Sequence, residues 1–311
     1  MLTDSPPTIE SVAIVGAGLM GRRIAGVMAR AGLRVTLTDA NPEVLEAALA
    51  DARAMCPGQE LQLGIDGVLS SAVAGVDLVI EAIVENLGIK REVFVELRAA
   101  NSTAILASNS SVMPITAIAA LLPDTSRAVG MHWWNPPDLI PIVEVIRGSG
   151  TSDETMELSM EVLLRAGKTP VRVEKDVAGF VGNRLQHALW REAIDLVASG
   201  VCDAETVDLV VRNTIGLRLA EMGPIENADY VGLDLTLAIH QQVLPAINRD
   251  PFPSALLERF VAEGNLGAKS GQGFLTWPAG AREAAAKRLS EHVQSGIRNR
   301  AQANQQINEE G

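Results

Sequence analysis

The sequence predicts an α/β chain in two parts, a doubly wound and mostly parallel sheet over residues 1–176 followed by a smaller all-helical domain over 177–311. Three observations carry that prediction. Short β-rich runs alternate with helical stretches from Ser11 to about Lys175, the pattern of strands joined by crossover helices. A glycine-rich turn joins the first run directly to the first helix. After Asp176 the strand signals nearly vanish and long amphipathic segments take over. With 311 residues, 47% of them hydrophobic, the chain has enough apolar material for two ordinary cores.

Taken in order, the strand candidates are Val12–Val15, Leu33–Thr38, Asp77–Ile83, Ala104–Ala107, Ala128–Trp133, Ile140–Ile146 and Pro170–Val173, runs of apolar residues broken by turn formers. Helices fall between them, notably Met20–Ala31 and Ile89–Ala100. In Phe180–Ser199 the residues Val181, Leu185, Ala188, Leu189, Ile194, Leu196 and Val197 recur roughly at helical spacing, which predicts a helix with one buried stripe. The polar stretch Ala281–Gly311 is expected to fray.

Composition narrows the function classes. A formal net charge of −12 makes nucleic acid and anionic membrane poor partners, because both call for clustered Lys and Arg. Cys56 and Cys202 fit no metal-ligand spacing and no disulfide framework, so no metal is expected. Met1–Pro7 has no positively charged start and the apolar run from Val12 is cut by glycine after four residues, so neither a signal peptide nor a membrane span is expected and the cytoplasm follows.

Gly16-Ala17-Gly18-Leu19-Met20-Gly21 lies between the first strand and the first helix, the Rossmann-type setting for a dinucleotide. There Gly16 permits the tight turn, Gly18 lets backbone approach a pyrophosphate, and Gly21 lets helix pack on strand. The helix start, with Leu19 and Met20, turns unpaired N–H groups to the phosphates. Asp39 follows 18 residues after Gly21, closing the second strand, where a carboxylate can bind both ribose hydroxyls. Ala40 and Asn41 come next, with no adjacent Arg or Lys for a 2′-phosphate, so the expected cofactor is NAD and not NADP. Arg22 and Arg23 could assist the phosphates, although exposed helix positions explain them as well.

A second signal is Gly130-Met131-His132-Trp133-Trp134-Asn135-Pro136-Pro137, followed by Ile142-Val143-Glu144-Val145. Two strand-like runs joined by a proline turn place one histidine and one carboxylate within reach of each other if the runs lie side by side. Glu144 would then hold the proton on one ring nitrogen and leave the other free to act as a base. A merely structural pair fits the same pattern. Ser108-Asn109-Ser110-Ser111 follows the Ala104 strand, where ligands of open α/β sheets bind, and Asn183 opens the first helix after the composition change. Ser-rich turns and asparagines at helix starts also serve as ordinary caps.

Together these segments resemble the 3-hydroxyacyl-CoA dehydrogenase family. The likeness runs from the glycine loop through Glu81-Ala82-Ile83-Val84-Glu85-Asn86, the Ser108–Ser111 turn, Met131-His132 with Asn135-Pro136, Val143-Glu144-Val145, Gly179-Phe180 with Asn183-Arg184, and Met222-Gly223-Pro224 to Gly267–Phe274, roughly residues 10 to 277. It implies that His132 and Glu144 are the catalytic pair, that Ser111 and Asn183 contact the substrate, and that Glu85 lies near the nicotinamide. Asn109 is assigned with Glu85 to the cofactor. The resemblance also implies a helical second domain used for homodimerisation.

Two departures shape the expected substrate. Only 41 residues separate Asp39 from Glu81, too few for the basic helical protrusion that holds coenzyme A phosphates in the fatty-acid-oxidising members. Residues 41–66 carry Glu43, Glu46, Asp51, Glu60 and Asp66 against Arg53 alone, the wrong sign for a polyanionic handle. Secondly, Gly216–Pro224 is similar to the gulonate and carnitine dehydrogenase branches, which act on small free 3-hydroxy acids. Arg218 is then the candidate for the substrate carboxylate, Trp134 and Trp133 for the pocket wall, and His187 for a cleft-facing position; His240 and His292 have no such support. The expected activity is NAD-dependent oxidation of a small 3-hydroxy carboxylic acid to its 3-oxo acid. The alternatives are a short-chain (S)-3-hydroxyacyl-CoA dehydrogenase acting on 3-hydroxybutyryl-CoA, and a non-catalytic dinucleotide-binding protein like the lens crystallin branch.

Overall fold

The computed structural model describes residues 8–310, so the Met1–Pro7 start and Gly311 lie outside the described residues. Contacts divide the chain into one unit that ends at Arg184 and another that begins at Leu185. The composition change at 176/177 falls ahead of that division.

The first unit is built on strands β1 (Ser11–Val15), β2 (Arg34–Thr38), β3 (Leu63–Ile65), β4 (Leu78–Glu81), β5 (Ile105–Ser108), β6 (Ala128–Trp133), β7 (Ile142–Arg147) and β8 (Thr169–Val173). They form one sheet in the order β3-β2-β1-β4-β5-β6-β7-β8, parallel except where β7 runs against β6. The helices are α1 (Leu19–Arg30), α2 (Leu45–Ala54), α3 (Leu69–Ala72), α4 (Leu87–Ala100), α5 (Ile115–Ile118) and α6 (Asp153–Arg165). Every residue of β1, β4 and β5 is buried, because helices cover both faces of a parallel sheet. One core joins Ile14, Ile80, Met131 and Trp133 to Ile24, Met28, Leu49 and Val162 of α1, α2 and α6. A second joins Ala13, Val79 and Leu106 to Phe94 and Leu97 of α4 and Ile118 of α5. The strand order reverses between β1 and β4, which opens a crevice beyond their carboxyl ends.

The seven expected strands all form, with ends shifted by up to two residues. The short edge strand β3 was not expected, since three residues give no readable period.

The second unit takes most of α7 (Gly182–Ala198) and holds α8 (Ala204–Asn213), α9 (Ile215–Leu219), α10 (Pro224–Val231), α11 (Leu233–Val243), α12 (Ala255–Ala262) and α13 (Ala281–Glu310). Isolated bridges tie Gly267 to Gln272 and Gln272 to Thr276, and among the described residues the unit's other regular elements are helices joined by loops. Two expectations are corrected here. Ala281–Glu310 is one continuous helix and not a frayed tail; Ala, Arg, Glu and Gln are good helix formers, and Lys287 pairs with Glu291 one turn on. The apolar stripe of α7 is not buried within the chain, since Leu185 is 59% and Leu189 39% exposed. Periodicity shows that one face is apolar and not what covers it.

Candidate active site

Two of the glycines in the turn after β1 are required by sterics. Gly16 has φ +106°, and a Cβ there would stand 2.6 Å from the Ala82 carbonyl oxygen; at Gly21 it would stand 1.7 Å from the Gly16 oxygen. Gly18 differs, because a Cβ on it would meet no protein atom within 4 Å. That open face is what a pyrophosphate laid against the backbone needs, so the turn fits a dinucleotide. Asp39 closes β2 and braces the turn, its Oδ2 accepting the Ala17 N–H at 2.7 Å and its Oδ1 the Asn41 N–H at 2.9 Å. A carboxylate oxygen holds two acceptor sites, so both oxygens keep capacity for ribose hydroxyls. Arg22 and Arg23 are paired with Asp51 at 2.6 Å and Asp138 at 2.7 Å.

The antiparallel β6–β7 ladder sets His132 directly opposite Glu144. Directly opposed residues have Cβ atoms about 5 Å apart, so the side chains meet without strain. His132 Nδ1 lies 2.7 Å from Glu144 Oε2, with the histidine 3% and the glutamate 2% exposed. An ionised carboxylate only accepts, so Nδ1 carries the hydrogen and Nε2 keeps a free lone pair. The other oxygen, Glu144 Oε1, accepts the N–H groups of Val181 at 3.0 Å and Gly182 at 3.1 Å. Those N–H groups are aimed by a left-handed pair, Gly179 with φ +75° and Phe180 with φ +49°. A buried phenylalanine in that region is costly backbone held where the site needs it. Burial pushes the Glu144 carboxyl up, but the His132 hydrogen bond and the Gly182 and Val181 N–H groups outweigh it and hold it below its ordinary value.

Trp134 and Phe180 flank the imidazole, with ring centroids 5.1 and 5.7 Å away. A cavity of about 280 Å³ is lined by Leu19, Met20, Asn109, Ser111, His132, Trp133, Trp134, Asn135 and Asn183. The start of the dinucleotide helix, the turn after β5, the expected base and the expected asparagine therefore share one space. Asn183 Nδ2 donates to the Ser111 carbonyl at 2.7 Å, which leaves one amide hydrogen uncommitted. Asn109 Oδ1 accepts the Trp133 N–H at 2.9 Å and links β5 to β6 beside the histidine. Of the two indoles, Trp133 is core, 2% exposed, and Trp134 is the half-buried wall.

Sequence reasoning missed the support beneath the Ser108–Ser111 turn. Glu81 and Lys90 are fully buried and paired at 2.7 Å, and Glu81 also accepts the Ser108 hydroxyl at 2.7 Å. Lys90 reaches Glu85 at 3.1 Å, and Glu85 Oε1 accepts the Ser110 hydroxyl and the Ser111 N–H, each at 2.7 Å. Burial raises the Glu85 carboxyl, yet Ser110, Lys90 and the Ser111 N–H bring it below its ordinary value. The available signal was a lysine one turn into the helix that follows two acids, Glu81 at the strand end and Glu85. Arg218 and His187 belong to the second unit; Arg218 is exposed on α9, and the His187 ring packs on Trp190 at 5.0 Å.

Comparison with known proteins decides the family. Residues 11–177 match the NAD-binding domain of 3-hydroxyacyl-CoA dehydrogenases, and residues 179–277 match their C-terminal domain. The chain belongs to the 3-hydroxyacyl-CoA dehydrogenase family. It is an NAD-dependent oxidoreductase of that family. The 5-formyl-3-hydroxy-2-methylpyridine 4-carboxylate 5-dehydrogenase of Mesorhizobium japonicum is 38% identical over 86% of this chain and 91% of its own. A probable 3-hydroxybutyryl-CoA dehydrogenase of Bacillus subtilis is also 38% identical, over 86% of this chain and 96% of its own. Among solved structures, that of the pyridine carboxylic acid 5-dehydrogenase, an NAD+-dependent dismutase, superposes with a TM-score of 0.87 at 33% identity, covering 94% of this chain and 98% of that one. The (S)-3-hydroxybutyryl-CoA dehydrogenase of Ralstonia eutropha gives 0.71 at 31% identity, covering 87% and 99%.

Proposed function

We propose that this family member oxidises the 3-hydroxyl of a small, free 3-hydroxy carboxylic acid to the 3-oxo acid, reversibly. The observation that carries this reading is the chain between β2 and β3. Its single cation in residues 41–66, Arg53, donates to the Leu63 carbonyl at 3.0 Å, and five acids surround it in sequence. The neighbouring Arg22 is paired with Asp51 of the same segment. A coenzyme A handle would have to bring several phosphates to a patch of like charge, which costs binding energy with nothing to offset it.

The chemistry follows from the buried pair. His132 Nε2 takes the hydroxyl proton, and Glu144 stabilises the imidazolium that results, a contribution typically worth about 10² to 10⁴ in rate. Bound NAD would supply the acceptor for the hydride of the carbinol carbon, which carries both electrons, while the hydroxyl proton goes to His132. The Ser111 hydroxyl and the free amide hydrogen of Asn183 donate to the oxygen as charge shifts onto it, with roughly 3 kcal/mol lost per donor removed. Gly16, Gly18, Leu19, Met20 and Gly21 would hold the pyrophosphate, Asp39 the adenine-side ribose, and Glu85 with Asn109 the nicotinamide end. Trp134 is proposed as the substrate wall. Arg218 is proposed for the carboxylate on sequence grounds.

A homodimer in the cytoplasm is part of the same proposal. Helices α8 to α12 bury none of their residues within the chain, and Ile225, Leu233, Leu237 and Phe252 are 60% exposed or more. A helical unit without an interior of its own gains one by covering that apolar surface with a second copy.

Two further readings have specific support. The Bacillus and Ralstonia relatives favour 3-hydroxybutyryl-CoA, and the broad superposition on the pyridine carboxylate enzyme favours an aromatic acid. NADH formation with a panel of free 3-hydroxy acids, 3-hydroxybutyryl-CoA and formylpyridine carboxylates separates them. Activity on free aliphatic acids is expected; activity on the thioester alone overturns the proposal, as does activity on the pyridine alone.

A further inference from the structure

The segment between β6 and β7 has an acceptor surplus. Pro136, Pro137 and Pro141 have no N–H, so residues 135–141 offer seven carbonyls against four backbone donors. Pro136 O is satisfied internally, by the Leu139 N–H at 3.1 Å and the Ile140 N–H at 3.0 Å. The carbonyls of Pro137 and Ile140 are not; both are taken by one side chain, the ammonium of Lys168. Lys168 is 7% exposed, stands just before β8, and lies 5.6 Å from the centre of the Trp133 ring. The same strap is tied to the dinucleotide helix by Asp138 and Arg23. Its first residue, Asn135, and the Trp134 before it line the cavity beside His132. An ammonium with no carboxylate hydrogen-bonded to it, buried to hold two carbonyls of a catalytic loop, is an expensive way to make a turn.

We propose that Lys168 is a positioning residue of the active site: by clamping the Asn135–Ile140 strap it keeps Trp134 and Asn135 in place beside His132. The inference rests on the use of His132 proposed above and not on which acid is the substrate. The charged groups acting on the ammonium are Arg30 at the end of α1, which disfavours its charge, and Asp138 on the strap, which favours it. Arg165 of α6 is turned to Ile9 and Glu10, and Arg172 of β8 to Glu157 and Glu174. Burial, with Arg30, lowers the ammonium to about 8. Above that pH the two hydrogen bonds lose their charge assistance, so the strap is held less tightly to an amine that itself stays buried.

The test uses the full-length protein with the substrate the panel identifies. K168M is expected to raise KM at least about fivefold and to lower kcat, with the NAD dissociation constant within about twofold, as a small misplacement beside the chemistry does. Wild type is expected to lose kcat/KM above pH about 8. D138N should move that alkaline limb to lower pH, R30Q to higher pH, and K168M should lack it. An unchanged KM and kcat in K168M overturns the proposal, and so does a limb that D138N and R30Q leave in place. If K168M does not fold, the D138N and R30Q pair decides alone. If every substrate is inert, amide hydrogen exchange of residues 134–141, corrected for intrinsic rate, decides instead. Faster opening in K168M than in wild type supports the clamp, and equal opening removes it.

Discussion

Trp134 sits so close to Gly182 that a Cβ on the glycine would stand 2.2 Å from Cζ2 of the indole. Gly182 also donates its N–H to Glu144, so one residue both seats the pocket wall and steadies the carboxylate that holds His132. Gly182→Ala must displace one or the other. It is expected to cost about 1–3 kcal/mol of stability, the usual range for overpacking, and to lower kcat more than NAD affinity. Chemical denaturation beside single-turnover rates checks this, and an unaffected kcat would show that the contact is dispensable.

His132→Ala is expected to cut turnover at least about 10²-fold with NAD binding intact, since the imidazole lies outside the glycine turn. Glu144→Gln should also slow turnover, because an amide cannot stabilise the imidazolium. The pH dependence of stability has a definite sign. The Glu144 carboxyl is held below its ordinary value in the folded state, so it contributes stability above the unfolded value that is lost as pH falls through the folded one. Acid unfolding of wild type should therefore be steeper than that of Glu144→Gln, and parallel curves would contradict the bracing role.

Gly18 and Gly21 should respond oppositely to the same substitution. Gly18→Ala points its methyl into open space, so Tm is expected to hold while NAD affinity falls. Gly21→Ala drives its methyl into the Gly16 carbonyl, so the fold itself should lose about 1–3 kcal/mol or more. Thermal unfolding with and without NAD distinguishes the two, and equal Tm losses would show that Gly18 is also a packing glycine.

Lys168 gives stability and activity opposite trends in alkali. Below pH about 8 the ammonium is charged in both folded and unfolded chains and contributes no slope. Between about 8 and the ordinary value of 10.5 the unfolded chain binds a proton that the folded chain has released, so stability rises with pH, by at most about 3 kcal/mol. The difference in denaturation free energy between wild type and Lys168→Met should grow over that window while catalysis declines. A flat difference would mean that the amine stays charged.

The apolar surface of the second unit predicts concentration-dependent stability. Tm should rise with protein concentration, and Leu237→Glu should lower it and shift the sedimentation coefficient to that of a monomer. A monomer at all concentrations would refute the dimer.

The Rossmann-type sheet was legible because its signals are local. A strand, Gly16, Gly18 and Gly21, a helix and Asp39 occur in a fixed order, and Gly21 answers a steric demand made by Gly16 five residues before it. The pairing of His132 with Glu144 was legible for a similar reason, since a short proline connection limits how two runs can lie. The edge strand β3 and the α13 helix were misread because three residues carry no period and polar residues do not by themselves exclude a helix.

What the sequence determined alone was the order of the seven expected strands, the dinucleotide turn and the facing of His132 and Glu144, all set by neighbours in the chain or by a known motif order. Tertiary structure alone decided that Glu144 is held from its other side by the Gly179–Gly182 turn, that Glu81 and Lys90 lie buried under the serine turn, and that Lys168 clamps the proline strap. These contacts join residues 9 to 38 positions apart, across different strands and turns. A buried polar group takes whichever partner the packing delivers, and the linear spacing of residues does not say which one that is.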